Sequence, residues 1–312
     1  MVSIIIVSYN RLDLVQKCLT AAVKNAPPET EIILVDNAST EDISGLVKKG
    51  FPQVKLITNK ENLGFSTANN QAMKIARGDY LLLVNTDAFV EPGSIEALRK
   101  FLGNHPDAGV VAPQLRNSDG TIQPSGGFHP HLYQVFLIAT FLDNLPFLRR
   151  FLPSIHIRWP GYFTIVRQLG WVAGAFLMLP QKVFTRTGGF DEKIFMYGEE
   201  LEWCYRIKLA GYKIYLDPEI HITHLGFASS RSRRFGIIKE YESWLAFYRK
   251  HKPSWQRPVL LALITLACFL RIIRYALTNN REMVRTYILA LQNIFTLKKQ
   301  HLFKVKAVAN DL

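Results

Sequence analysis

Three stretches place polar ligands directly behind apolar runs. Residues 2–7 lead into Ser8-Tyr9-Asn10-Arg11, residues 31–35 into Asp36-Asn37-Ala38-Ser39-Thr40, and residues 80–84 into Asn85-Thr86-Asp87. An acid at the end of a second strand can accept from a ribose hydroxyl or a base N–H, although Asp36 or Ser39 can equally cap the next helix. A carboxylate backed by a carboxamide, as in Asn85-Thr86-Asp87, can hold a hard divalent cation that also binds phosphate oxygens, or simply close a turn. Further on, Glu199, Glu200 and Glu202 occupy the first turn of a helix, where negative charge is stabilising in any case. Their neighbours Tyr197, Gly198 and Trp203, and the preceding Gly188-Gly189-Phe190-Asp191 turn, suggest a shaped pocket rather than a solvated face. His221 and His224 lack a nearby third protein ligand for zinc. His221 reads as structural, and His224 joins Asp87 on one metal only if the fold brings the two together.

The elements that must position these residues alternate. Short Ile-, Val- and Leu-rich runs at 2–7, 31–35, 54–57, 80–84 and 109–111 read as strands buried on both faces. Helical patterns at 12–24, 66–76 and 94–102 lie between them, which predicts βαβ units and a mostly parallel sheet. In such sheets ligands bind beyond the carboxyl ends of the strands, where the polar stretches fall. The rhythm breaks after residue 112. Asn117-Ser118-Asp119-Gly120 marks a turn and Gly126-Gly127 a loop; strands are expected at 171–179 and 213–216, and a helix at 199–210. No G-x-G-x-x-G follows the first strand, which removes the main support for a dinucleotide-binding dehydrogenase.

The chain has 312 residues, 48% of them hydrophobic and 20% charged, which excludes disorder and collagen-like structure. Its net charge of +13 is unevenly placed: residues 226–312 carry 16 basic and 4 acidic side chains, and residues 1–225 carry 22 and 21. A protein coated for nucleic acid is not expected from this balance, and no RNA or DNA motif accompanies the charge. Cys18, Cys204 and Cys268 form no C-x-x-C pair, which fits a reducing compartment. A cleaved secretory signal is not expected ahead of the first strand.

Six motifs occur in order: Ser8-Tyr9-Asn10-Arg11, Val35-Asp36-Asn37-Ala38-Ser39, Asn62-Leu63-Gly64-Phe65 with Asn69-Asn70, Asn85-Thr86-Asp87, Gly188-Gly189-Phe190-Asp191-Glu192 and Tyr197-Gly198-Glu199-Glu200. Together, over roughly residues 1–226, they resemble the family 2 glycosyltransferases of the GT-A fold, especially the bacterial rhamnosyltransferase-like branch. The resemblance implies an α/β fold with a mostly parallel central sheet flanked by helices, to which the composition from residue 226 onward adds a basic helical C-terminal extension. It implies a catalytic domain at 1–225, with a nucleotide-sugar half at about 1–112 and an acceptor half at about 113–225. Ser8, Tyr9, Asn10, Arg11, Asp36, Asn70, Asn85 and Asp87 would then bind a nucleoside-diphosphate sugar. Asp87 and His224 would hold Mg²⁺ or Mn²⁺, with Asn85 replacing the first acid of the family's D-x-D. Glu200 stands at the catalytic base, usually Asp in a Glu-Asp pair, so the choice among Glu199, Glu200 and Glu202 stays open. Trp171, Gly174 and Ala175 match the acceptor-site strand and loop, with Glu199 and Glu202 beside the acceptor. The implied activity is inverting transfer of a sugar, rhamnose favoured, to a lipid-linked or other cell-envelope glycan. Two rivals remain: a nucleotidyltransferase, which would want a Gly-rich turn after the first strand, and a glycan-binding module that has lost its base.

Residues 226–312 are expected to associate with membrane. An apolar run from 258 to 270 is short of a confident span. Continued at helical pitch, Arg271, Arg274, Arg281 and Arg285 share one face opposite Ile272, Ile273, Met283, Ile288 and Leu289. That pattern suits an in-plane helix on anionic lipid at the cytoplasmic face of a bacterial-type membrane, unless Thr278-Asn279-Asn280 breaks it. A helical subdomain with a solvated basic face is the alternative.

Overall fold

Strands β1 (Val2–Ser8), β2 (Thr30–Asp36), β3 (Lys55–Thr58) and β4 (Tyr80–Asn85) are separated by helices α1 (Leu12–Asn25), α2 (Ile43–Gly50) and α3 (Gly64–Ile75), as the alternating pattern requires. A fourth helix, α4 (Ser94–Asn104), leads to β5 (Ala108–Arg116). After β6 (Ile122–Gln123) and β7 (Gly126–Gly127) come α5 (Leu132–Ala139), β8 (Arg167–Leu169), β9 (Trp171–Val172), β10 (Phe176–Pro180), α6 (Gln181–Thr187), α7 (Glu199–Leu209) and β11 (Lys213–Thr223). The last described elements are the helices α8 (Arg233–His251), α9 (Gln256–Leu277) and α10 (Arg281–Lys299). The computed structural model describes residues 1–145, 147, 152, 154–226 and 233–299. Parts of the expected C-terminal extension, residues 227–232 and 300–312, lie outside the described residues.

The main sheet runs β3-β2-β1-β4-β10-β5-β11-β8, with β6 paired to β5. β1, β2, β3 and β4 are parallel, as are β5 and β11, while β10 is antiparallel to both β4 and β5. Ile4, Ile6, Leu34, Leu82 and Met178 of the sheet pack in one core with Val15 and Leu19 of α1 and Ile95 and Leu98 of α4, among others. Two strands outrun the sequence pattern. β5 continues to Arg116, and β11 continues past a register shift between Asp217 and His221 to Thr223, because the two keep pairing in parallel.

The single strand expected at 171–179 is two strands in two sheets. β9 pairs with β7, whereas β10 pairs with β4, so the chain changes sheet at Ala173-Gly174-Ala175. Periodicity cannot register this change, because both pieces are apolar and buried.

The chain forms two compact units, Met1–His129 with His156–Ser229, and Pro130–Ile155 with Ser230–Leu312. The segment from 130 to 155 therefore goes with the C-terminal helices rather than with the rest of residues 113–225. Within the second unit α9 packs against α5, α8 and α10. The chain breaks at Thr278-Asn279-Asn280, with Asn279 at φ 53°, and the Asn280 side chain accepts from the Met283 N–H (3.1 Å) to start α10. The expected four-arginine stripe does not form. Arg271 is buried and donates to the carbonyls of Ala267 (3.1 Å) and Ile138 (2.9 Å), its guanidinium lying over the rings of Phe141 and Tyr287. Met283, expected on the opposite apolar face, is buried as well.

Candidate active site

The ends of β1 and β2 are laced together. Asn10 and Arg11 both have left-handed backbone (φ 60° and 59°). The Asn10 N–H donates to Ser39 Oγ (2.8 Å), and its side-chain oxygen accepts from the Thr40 N–H (2.8 Å). Asp36 is buried and accepts from the Ser39 N–H (3.0 Å). Neither Asp36 nor Ser39 caps α2; Asp42 does, accepting from the Gly45 N–H (2.8 Å). Of the four residues behind β1, Ser8 is buried with its hydroxyl 3.4 Å from the Val35 carbonyl, and Asn10 builds the loop. Tyr9 and Arg11 keep exposed side chains, Arg11 pairing with Asp13 (3.1 Å).

Behind β4, Asp87 is almost completely buried (1% exposed), and His224 Nε2 lies 3.3 Å from its Oδ1. β11 delivers His224: the Ala88–His224 bridge and the Leu225 N–H to Asp87 carbonyl bond (2.9 Å) fix the approach. His221 is exposed on the same strand and takes no part in this corner. The other ring nitrogen ends a directional chain of hydrogen bonds. Thr121 Oγ1 donates to Asp119 (2.6 Å) and accepts from the Asn117 amide (2.9 Å), whose oxygen accepts from Gln123 Nε2 (3.1 Å). Gln123 therefore presents its oxygen to His224 Nδ1, at 2.6 Å. A carboxylate such as Asp119 only accepts, so every donor direction follows from it, and His224 must carry its proton on Nδ1. In the neutral ring Nε2 then presents its lone pair to a buried carboxylate. Gly226 belongs to the same arrangement: at φ 60°, a Cβ there would lie 2.7 Å from Gln123 Nε2.

Two facing electron-pair donors, nitrogen and carboxylate, suit a divalent cation. Among the described residues no group of three or more His, Cys, Asp or Glu side chains is placed to hold a metal ion, so phosphate oxygens and water would have to complete the shell.

The Ala173-Gly174-Ala175 switch between sheets joins this corner to the acid cluster. The Asn85 N–H donates to the Ala175 carbonyl (2.8 Å). On the other side, a Cβ at Gly174 would lie 4.0 Å from Glu200 Cβ and 3.7 Å from the Phe65 ring. Trp171 is buried, its ring 5.2 Å from that of His156.

The three acids of α7 part company here. Glu202, expected beside the acceptor, is buried and gripped by Arg206 through Nε to both carboxylate oxygens (2.9 Å) and Nη2 to Oε2 (2.8 Å). Arg206 also donates to the carbonyls of Thr187 and Gly189, so the pair fixes α7 to the turn before it. Breaking a buried pair of this kind costs roughly 3–5 kcal/mol, too much for an acid that must handle protons in every turnover. Glu199 and Glu200 remain. Each has a buried Oε2 without a hydrogen-bond partner. Burial, and then the charge of Glu200, pushes Glu199 well above the usual carboxylate range. Burial also raises Glu200, but the backbone N–H groups of Glu200, Gly198 and Gly174 and the nearby His156 hold it down. Both acids are raised, Glu199 further than Glu200, so Glu200 is the readier of the two to ionise.

Asn70 serves the scaffold. Its carboxamide donates to the Phe190 carbonyl (2.9 Å) and Glu192 (3.0 Å) and accepts from the Phe190 N–H (2.9 Å). Gly189 allows that approach, since a Cβ there would lie 2.0 Å from Asn70 Oδ1. Gln123, Asn117, Arg206 and His156 were not marked by the sequence. Only the Asn117-Ser118-Asp119-Gly120 turn gave any signal, and it read as punctuation.

Comparison with known proteins places the chain. The family model described as Glycosyl transferase family 2 matches residues 3–168. The N-acetylglucosaminyl-diphospho-decaprenol L-rhamnosyltransferase of Mycobacterium tuberculosis is 27% identical over 241 residues, covering 73% of this chain and 78% of that protein. Rhamnosyltransferase WbbL of Escherichia coli is 25% identical over 241 residues, covering 74% and 86%. Among solved structures, the mannosyltransferase PcManGT from Pyrobaculum calidifontis in complex with GDP-Man and Mn²⁺ shares the fold, with a TM-score of 0.56 at 17% identity over 97% of this chain and 76% of that one.

Two outcomes follow from the geometry. Glu199 takes up its proton more readily folded than unfolded, so its contribution to stability is complete below the ordinary value of 4.5 and is lost as pH rises towards its raised value. Glu199→Gln should flatten the fall in melting temperature from pH 4.5 upward; an unchanged slope would show that Glu199 is not the raised acid. In ¹⁵N-labelled protein the neutral His224 ring should carry its proton on Nδ1. Gln123→Met should scramble that preference and Gln123→Glu should keep it, whereas a ring protonated on Nε2 in the unsubstituted protein would contradict the relay.

Proposed function

Because the chain belongs to glycosyl transferase family 2 and is a glycosyltransferase of GT-A fold, we propose that it moves a sugar from a nucleoside-diphosphate donor, with inversion and with Mg²⁺ or Mn²⁺, to a hydroxyl of a lipid-linked or other cell-envelope glycan. Rhamnose is the favoured sugar, because two relatives bear that activity in their names, and the diphospho-decaprenol in one name supports a lipid-linked acceptor. Such an acceptor puts the enzyme at the cytoplasmic face of the membrane. Nucleic acid has no part in this reading.

The observation that carries the proposal is the Ala173-Gly174-Ala175 loop, which touches the Asp87 segment through Asn85 and the Glu200 carboxyl through the Gly174 backbone. Asp36 and the Ser8-Tyr9-Asn10-Arg11 loop take the nucleoside, with Asn85 beside its diphosphate. Asp87 and His224 Nε2 hold the cation, which when bound neutralises charge on the leaving diphosphate as a Lewis acid. Glu200 accepts the proton of the acceptor hydroxyl as that oxygen attacks the anomeric carbon and the bond to the diphosphate breaks. Glu199, whose carboxyl burial holds well above the usual range, disfavours a second negative charge beside Glu200. The transition state is oxocarbenium-like, as in glycoside hydrolysis. With Glu200 acting as base on the acceptor and not as nucleophile on the sugar, there is one displacement, hence inversion.

Nucleotide release from a panel of donors, with Mn²⁺ and a membrane lipid extract, tests the activity. Donor binding without release from any donor would favour a binding module. Glu200→Gln should leave donor affinity intact and lower turnover by about 10²-fold or more, the usual scale for a lost general base; normal turnover would reassign the base. Asp87→Ala should abolish the Mn²⁺ dependence of donor binding in calorimetry, and unchanged dependence would remove Asp87 from the site.

A further inference from the structure

The outer side of α9 is apolar from end to end. Trp255, Val259, Leu266, Phe269, Ile273 and Leu277 are exposed, Leu277 at 83% and Trp255 at 62%. Their spacing of three, four or seven residues sets them on one helical face. The other positions along that line, Pro258, Ala262 and Ala276, are exposed too, so no charge interrupts the stripe. At 1.5 Å per residue it extends for about 33 Å. An exposed apolar band of this length marks an interaction surface.

Its charged surroundings identify the occupant. Arg257, Arg274, Arg281 and Arg285 are exposed on α9 and α10, and Glu282 is the only acid in either helix. A second copy would bring the same basic rim against this one, like charge to like, whereas an anionic surface complements it. The helix is long and apolar enough to cross a membrane. Its inner side, however, is committed to protein: Leu260, Ile264, Ala267, Cys268 and Arg271 are buried, and Arg271 is bound to the Ile138 carbonyl. The adjoining α10 exposes Gln292 and Asn293 besides its arginines, which a spanning α9 would carry into hydrocarbon.

We propose that the face of α9 from Trp255 to Leu277 lies in the plane of an anionic lipid surface, its apolar stripe sunk to the boundary between headgroups and acyl chains. Arg257 and Arg274 sit at headgroup level, and Arg271 is held inside the protein. The surface thus differs from the arginine face read from helical pitch alone. It deepens the membrane-proximal part of the proposed function, but it can be scored with neither donor nor acceptor present, so its failure and that of the reaction are separate results.

The test is flotation of the full chain with vesicles of phosphatidylcholine alone or mixed with phosphatidylglycerol. The chain should float with the mixed vesicles at low salt and be released by alkaline carbonate at high salt. The double variant Phe269→Glu, Ile273→Glu, checked for native circular dichroism, should lose about tenfold or more in vesicle affinity, since burying each such side chain is worth about a decade or more. As a check free of folding effects, brominated lipid should quench tryptophan fluorescence less in Trp255→Phe than in the unsubstituted chain. The proposal is overturned if the full chain stays off anionic vesicles, if the double variant binds as well as its parent, or if only detergent releases the protein. It is also overturned if the substitutions dissociate a dimer without affecting lipid binding.

Discussion

The hydrogen bond from the Asn85 N–H to the Ala175 carbonyl (2.8 Å) is the contact on which the site depends. It exists because β10 inserts antiparallel between β4 and β5, opposite in direction to the strands whose ends carry the polar loops. The chain enters β10 at the same end of the sheet where β4 leaves it. The turn before β10 therefore meets the turn after β4, and two stretches far apart in sequence become neighbours. A parallel strand at this place would have put its entry at the opposite end, away from Asp87. The change of sheet at Gly174 then lets the same three residues reach Glu200 on α7.

Around that contact, most of the polar residues act on other polar residues. Asp119, Thr121, Asn117 and Gln123 decide which nitrogen of His224 is bare, and so what faces Asp87. Arg206 grips Glu202 and with it anchors α7, while backbone N–H groups and His156 hold Glu200 below Glu199. Asn70 holds the turn at Phe190 that precedes the acids. Where the protons of this site sit is set by these partners, since the residue types alone admit several protonation patterns.

The parallel half of the fold was legible because its strands are buried on both faces and its helices show one apolar stripe each. Asp87, His224 and the Glu199–Glu200 pair were legible as types in a recurring order. What the sequence left open is tertiary. Nothing in the apolar run at 171–179 distinguishes one strand from two that belong to different sheets. Three acids in one helical turn look alike until Arg206, four residues on, is seen to bind one of them. Arg271 illustrates the same limit: helical pitch gives its angle on α9, but only packing reveals that this angle points inward to Phe141 and Tyr287.

The central claim is that one ionised carboxylate, Glu200, serves the acceptor side while Asp87 and His224 serve the leaving group, so that the sugar is displaced once. The anomeric configuration of the first product, followed by proton NMR from the start of turnover with whichever donor is accepted, tests this most directly. The account predicts a linkage of configuration opposite to that of the donor. A product that retains the donor's configuration would contradict it, because retention by double displacement requires a carboxylate to attack the anomeric carbon, whereas here Glu200 takes the acceptor's proton.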